Sequence, residues 1–273
     1  MSKAWRLIDR FSEDVDLALD RKFLGFSEEM SSSQVRKLRK DSAKYISENF
    51  FPELKRVFKQ AGLENVNILL SEVKTRDQDP LIIELHYPRI TATSNYLLPR
   101  VLVEIGSRSL MEPYSQKSFS SFVGEHFKDQ PFADKNITIP TVNPERTFLE
   151  KIFLLHEEFQ KPSDKSRVNR LSRHLYDIEK LMDTPFAEIA LANMELYKNI
   201  VEHRKAVTPI RGIDYSNHAP KKINPLPPAN LIEEWRKDYE QMQESMINTE
   251  SLSFDKMLER INILKSRINK LRF

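Results

Sequence analysis

The chain contains no cysteine. That excludes a disulfide framework, a thiolate nucleophile and any cysteine-held metal, so chemistry has to run on carboxylates, histidines, lysines or hydroxyls. Glycine is nearly as scarce. Gly25, Gly62, Gly106, Gly124 and Gly212 are all there are among 273 residues, and no two stand close enough to form a G-x-G-x-x-G turn or a Walker A loop. Dinucleotide-binding and P-loop readings fall with them. No run approaches the ~20 apolar residues that span a bilayer, and no apolar segment follows positive charges at the N-terminus. The expectation is a cytoplasmic protein with no membrane partner. An excess of one charge is missing too: 43 Lys plus Arg stand against 40 Asp plus Glu, for a net charge of +3. Any basic surface must therefore be local. The six histidines never fall into an H-x-x-x-H or H-E-x-x-H spacing, so no zinc site is expected.

What is present is core material, 40% hydrophobic residues in a chain long enough for one large domain or two ordinary ones. Residues 2–9 read as the end of a helix, and 14–19 as a strand in which Val15, Leu17 and Leu19 alternate with Asp14, Asp16 and Ala18. Helices are expected over about 34–49 and 52–61, the first capped from Ser31 to Ser33. Three short runs rich in Val, Ile and Leu follow, at 66–73, 81–87 and 100–107, and read as strands of one sheet. From Asn143 the period becomes helical. Asn143 serves as N-cap and Pro144 as first residue of a helix whose stripe is Phe148, Ile152, Leu155 and Phe159. Two more helices follow, around 171–182 and 189–201. Residues 209–228 carry five prolines and read as a linker or extended loop. Two last helices carry the stripes Leu231, Trp235, Tyr239, Met242, Met246 and Phe254, Leu258, Ile261, Leu264, Ile268, Leu271. The fold class expected is α+β: a mixed sheet flanked by helices in domain 1–140, then a helical bundle in domain 141–273.

The stretch "RFSEDVDLAL" places Asp14 and Asp16 at i and i+2 of a strand, on one face and roughly 6.5–7 Å apart, with Val15 and Leu17 turned to the core. Two carboxylates so placed repel unless a cation sits between them, and a hard, oxygen-seeking divalent ion is the natural candidate. A lone D-x-D is also common by chance. The whole stretch "SKAWRLIDRFSEDVDLAL" resembles the AbiEii-like toxin nucleotidyltransferases (domain of unknown function 1814) of the polymerase-β-type superfamily. Their signature runs Gly-Gly-Ser/Thr, a helix, then Arg-Phe-Ser-x-Asp-φ-Asp-φ, and Arg10, Phe11, Ser12, Asp14 and Asp16 match it in order. The pattern next calls for a carboxylate on a later strand, where Glu104 in "RVLVEIGSRS" fits. It then calls for a helical lysine and an aspartate in an Arg-x-x-Tyr-Asp context, where Lys151, Arg173, Tyr176 and Asp177 fit. The likeness extends over about residues 2–185.

The resemblance implies a nucleotidyltransferase, the toxin of a bacterial toxin–antitoxin or abortive-infection system. Asp14, Asp16 and Glu104 would hold Mg²⁺ or Mn²⁺ ions about 3.5–4 Å apart. Lys151 would hold the triphosphate of an NTP substrate as a point charge, Asp177 would orient the lysine or the nucleotide, and Arg10, Ser12, Arg173 and Tyr176 would line the nucleotide site. RNA, with tRNA among the candidates, would be the acceptor, and a cognate antitoxin protein a further partner. Basic residues at Lys161, Lys165, Arg167, Arg170 and Arg173, and at Arg260, Lys265, Arg267, Lys270 and Arg272, suit contact with phosphates; they equally suit the solvated faces of amphipathic helices. The family's Gly-Gly-Ser/Thr loop would fall before Met1. Either the start is misplaced or truncated, or the phosphate loop is impaired, and the second case leaves a binding module of the same fold that acts through a protein partner.

Overall fold

The computed structural model describes residues 1–273 except 13, 28–29, 76–77, 91–95, 109–112, 248, 273 and the side chain of Ser163. Packing divides the chain into two compact units, one of Met1–Phe11, Glu112–Glu202 and Ile210–Phe273, the other of Ser12–Met111 and His203–Pro209. The boundary set at 140 on the sequence would instead place residues 112–140 with the sheet.

The second unit opens with β1 (Asp14–Ala18). α1 (Ser32–Tyr45), a π-helical turn at Ile46–Phe50 and α2 (Phe51–Gln60) come next, then β2 (Asn67–Leu70), β3 (Leu81–His86) and β4 (Arg100–Gly106). Helix α1 starts where Ser31 and Gln34 form a reciprocal capping box, satisfying donors that the first turn cannot. The sheet is mixed, in the order β1-β4-β3-β2, with β1 parallel to β4 and the other pairs antiparallel. Its apolar face buries Ile68, Leu81, Ile83, Val103 and Ile105 against Ala43 and Ile46. Val15 and Leu17 share that face by register, yet they are 44% and 38% exposed, against the expectation that they face the core. β1 is an edge strand, and the buried cluster draws on β2, β3 and β4 alone. At the end of β4 the chain is held by Asp79, whose Oδ2 accepts the Ser107 N–H at 3.1 Å and the Ser107 hydroxyl at 2.8 Å.

In the other unit, residues 2–9 are not helical. Arg6 lies in the left-handed region at φ 52°, and the segment is fixed from outside: the Trp5 indole donates to Val142 O at 3.0 Å, Trp5 packs edge-on against Phe186, and Lys3 and Arg6 pair with Glu125. Tertiary partners override a helical pattern this short. Next comes a hairpin that the pattern did not announce, β5 (Tyr114–Phe119) and β6 (Ile137–Val142), with α3 (Phe122–His126) in its connection. Its sequence, "YSQKSF" against a strand containing Pro140, carries little of the usual strand signal.

Helices then dominate: α4 (Pro144–Gln160), α5 (Ser172–Leu181), α6 (Pro185–Ala192), α7 (Met194–Val207), α8 (Ile232–Met246) and α9 (Phe254–Asn269). Phe148, Ile152, Leu155, Leu175, Ile178, Trp235, Met242, Ile261 and Leu264 are fully buried, as the stripes require. Residues 209–228 are not a free linker. They form two short 3₁₀ turns, Tyr215–His218 and Pro220–Lys222, with Ile223 and His218 buried. His218 Nε2 lies 3.0 Å from Glu157 Oε1, and the Asn224 N–H donates to His156 Nδ1 at 3.1 Å. The prolines rule out regular helix while these polar contacts bind the loop to α4.

Candidate active site

One candidate cluster is acidic and stands on the sheet. β1 runs beside β4 with Asp16 opposite Glu104 and Asp14 opposite Leu102. Strand alternation therefore puts Asp14, Asp16 and Glu104 on one face, turned away from Val103 and Ile105. Paired strands lie about 4.8 Å apart, so Asp16 and Glu104 are direct neighbours. Their donors are all carboxylate oxygens, the set that suits Mg²⁺ or Mn²⁺. Among the described residues no three acidic or histidine side chains are gathered tightly enough to enclose an ion; the fit lies in the backbone register. Glu84 shares the same face but is committed to the fold, accepting from Ser71 Oγ at 2.9 Å and Arg100 Nη1 at 2.7 Å.

A second cluster, in the other unit, is built on α4 and α5. Asp177 is fully buried on α5. Arg10 clasps it with two parallel hydrogen bonds, Nε to Oδ1 at 2.7 Å and Nη2 to Oδ2 at 2.8 Å, and Lys151 of α4 reaches Oδ2 at 2.8 Å. The Arg10 guanidinium also donates to Phe11 O at 3.0 Å, which fixes the plane of the fork. Burial opposes the charge on Asp177, but the charges of Lys151 and Arg10 and their hydrogen bonds outweigh it and hold the carboxyl far below the usual carboxylate range. With three donors on its two oxygens, Asp177 is an organiser of cations.

Lys151 also lies 3.2 Å from His174 Nδ1. Burial, reinforced by the Lys151 charge, keeps the His174 pKa well below its ordinary value, so the ring is neutral and Nδ1 accepts. Tyr176 is buried, its phenol pushed up to about 12 chiefly by burial. Arg173 lies one turn before Asp177, and Ser12 is exposed. The structure thus brings Arg10, Lys151, Arg173, Tyr176 and Asp177 together in one unit, and Asp14, Asp16 and Glu104 together in the other.

The sequence reading missed Asp238. Asp238 of α8 accepts the Arg170 N–H at 2.6 Å and the Ser172 N–H at 3.0 Å, capping the start of α5 from a helix 66 residues away. Arg170, one of the expected basic residues, sits in the left-handed region at φ 63°. No local pattern marks Asp238, because a cap supplied across such a separation leaves no spacing to read. Several expected phosphate contacts have structural partners instead. Lys161 and Arg167 pair with the buried Glu158, and Arg260 and Arg267 pair with Glu179 and Asp183.

No curated protein matches the chain. Among solved structures, MenT4, a nucleotidyltransferase toxin from Mycobacterium tuberculosis H37Rv, is similar in fold at 14% identity with a TM-score of 0.50, over 99% of this chain and 73% of that one. The family model described as "Nucleotidyl transferase AbiEii toxin, Type IV TA system" matches residues 1–260. That span takes in the carboxylates of β1 and β4 as well as Arg10, Lys151 and Asp177, and the chain belongs to this family of nucleotidyltransferase toxins.

Proposed function

We propose that the protein transfers a nucleoside monophosphate from an NTP to an RNA acceptor, tRNA being one candidate, as the toxin of a system with a cognate antitoxin. The observation that carries this reading is the in-register placement of Asp16 against Glu104 on parallel strands, with Asp14 on the same face. The motif from Arg10 to Asp16 adds support, since seven residues supply both the guanidinium that organises Asp177 and two of the carboxylates.

In the reaction an acceptor hydroxyl attacks the α-phosphorus; a new P–O bond forms, the α–β bridge breaks, and pyrophosphate leaves with the electron pair. A divalent cation bound by Asp14, Asp16 and Glu104 would neutralise phosphate charge and lower the pKa of the attacking hydroxyl. The remaining work is positioning and electrostatics. Lys151 is held by Asp177 with its ammonium fixed rather than free to wander, which makes it a fitting phosphate ligand. The neutral His174 beside it takes up no competing charge. Arg173 and Ser12 are further candidates for contact with the nucleotide, while Arg10 acts through Asp177.

Incubation with each labelled NTP, Mg²⁺ and total RNA tests the proposal. Label should pass to RNA with one or more nucleotides, and Asp14→Asn or Asp16→Asn should abolish it. Unchanged transfer in both variants, or no transfer with any nucleotide while the folded protein still binds NTP, would overturn it; the second result is what a catalytically impaired module would give.

A further inference from the structure

The connection between β5 and β6 leaves three aromatic rings standing in solvent. Phe122 is 65% exposed, Phe132 62% and Phe127 46%, and all three fall within eleven residues. Single exposed apolar side chains are ordinary, but several large rings gathered in one connection mark a binding surface. The rings are held from beneath. Asp134 accepts the Ser121 N–H at 2.7 Å and takes the Ser121 hydroxyl as well, while the Gly124 N–H donates to Ser121 Oγ at 3.0 Å. Gly124 is needed for that closure, since a Cβ there would collide with Asp134 Oδ1. Phe127 and Phe132 then brace each other edge to face, their ring centroids 5.7 Å apart, so the aromatic faces are presented already ordered.

Cations surround these rings. The Lys3 ammonium sits 3.9 Å from the centre of the Phe122 ring, and that of Lys117 lies 3.7 Å from the Trp5 ring. Lys117, Lys128 and Lys135 have no carboxylate partner among the described residues. Of the carboxylates here, Glu125 is engaged by Lys3 and Arg6 and Asp134 by Ser121, which leaves Asp129. Five cations, Lys3, Arg6, Lys117, Lys128 and Lys135, thus stand against three carboxylates. The basic runs at 161–173 and 260–272 differ on both counts. Lys161, Arg167, Arg260 and Arg267 are tied to acidic side chains of the fold, and neither run contains an aromatic residue.

We propose that this connection is a platform for an unpaired stretch of the acceptor RNA, with bases stacked on Phe122, Phe127 and Phe132 and phosphates held by Lys117, Lys128 and Lys135. The inference rests on the nucleotidyltransferase reading above for RNA as the acceptor. Every base offers a π-face whatever the sequence, and rings set among cations meet both demands of a single strand. The core of a protein–protein contact would instead be depleted in lysine. Position agrees with this. β6 runs into α4, on which Lys151 lies seven residues past Pro144, about 10 Å along the axis. The Trp5 bond to Val142 O ties the segment that carries Arg10 to the same strand end. A strand laid on the platform therefore starts beside the helix whose ammonium Asp177 holds.

Fluorescence anisotropy of a labelled single-stranded RNA, titrated with the full-length protein without NTP or metal, tests this. Phe122→Leu and Phe132→Leu keep an apolar surface but lose the π-face, and each should weaken binding about five- to a hundredfold, while Phe132→Trp should bind at least as well as the parent. Both rings are largely exposed, so neither change threatens the fold. Phe23→Leu, at an equally exposed ring in the other unit, is the control and should bind as the parent does. Lys128→Gln and Lys135→Gln together should lower the slope of log affinity against log salt by about 1.4. Annealing the RNA to its complement should remove the difference between parent and leucine variants, because paired bases are stacked away from the rings. Parental affinity in both leucine variants, the result expected of a surface for an apolar protein partner, would overturn the proposal, as would no binding of single-stranded RNA by the parent. If the leucine variants lose RNA binding but the parent transfers no nucleotide, the transferase reading fails and the platform stands. If transfer proceeds with the same KM for RNA in parent and leucine variants, the transferase reading stands and the platform fails.

Discussion

Asparagine in place of Asp177 would leave Arg10 and Lys151 buried without their counter-charge. Removing one partner of a buried ion pair typically costs about 3–5 kcal/mol, so Asp177→Asn should lower the urea midpoint sharply, as followed by circular dichroism, and reduce transfer with it. The pH dependence follows from the depressed pKa. As the pH drops, the unfolded chain takes up this proton first, so the stabilisation is whole above the unfolded carboxyl's pKa of about 3.9 and drains away below it. Parent and variant should therefore differ by a constant amount from pH 7 down to about pH 4, and the gap should begin to narrow, without closing, by pH 3, a comparison of midpoints across that range. At this scale the motif drew notice to Asp177 and Lys151, which the structure places 2.8 Å apart. No spacing in the sequence announced Arg10 as the chief partner of Asp177. The clasp comes from Arg10, 167 residues away, and such distant choices are made by packing.

The helices of the C-terminal half and the strands β2 to β4 were legible because each buries one face, and the stripe or alternation of apolar residues records which; β1 was legible from its alternation although its apolar side chains stay exposed. β5, β6 and the loop at 209–228 were not, since polar contacts and prolines hold them instead. His156 shows what that loop rests on. Its Nε2–H donates to Asn217 O at 2.9 Å while Nδ1 accepts from Asn224, and burial, aided by His218, lowers its pKa to about 4. Folding thus depresses a basic group's pKa, and the unfolded chain gains a proton as pH falls from about 6.5 towards 4. Stability should decline across that window, and His156→Gln should flatten the decline in a series of urea melts, although the variant is less stable at pH 7. The end of β4 makes a separate case. A Cβ on Gly106 would lie 2.3 Å from Asp79 Oδ1 and 3.2 Å from Pro80 Cβ. Gly106→Ala should therefore cost about 1–3 kcal/mol as overpacking, read from the same melts.

Across the whole molecule the near-balance of charge means that binding of a highly charged nucleotide depends on where cations are gathered, not on the net +3. The motif from Arg10 to Asp16 runs from one unit into the other, and ligand-induced stabilisation offers a readout on the whole protein. At a hundredfold excess over its dissociation constant, NTP with Mg²⁺ should add about 2.7 kcal/mol to the stability of the protein. Asp16→Asn should remove the part of the rise in melting temperature that needs Mg²⁺, and Lys151→Ala the part that nucleotide produces without it. A Mg²⁺-dependent rise that survives in Asp16→Asn would place the metal elsewhere.

The unit that contains Asp177 is drawn from both ends of the chain, from Met1–Phe11 and from segments that run to Phe273. During synthesis Arg10 leaves the ribosome long before Asp177, and α8, which brings Asp238 to the start of α5, follows later still. A nascent polypeptide lacking α8 therefore has no acceptor for the N–H groups of Arg170 and Ser172, and the clasp of Arg10 on Asp177 can close on a helix whose first turn is still uncapped.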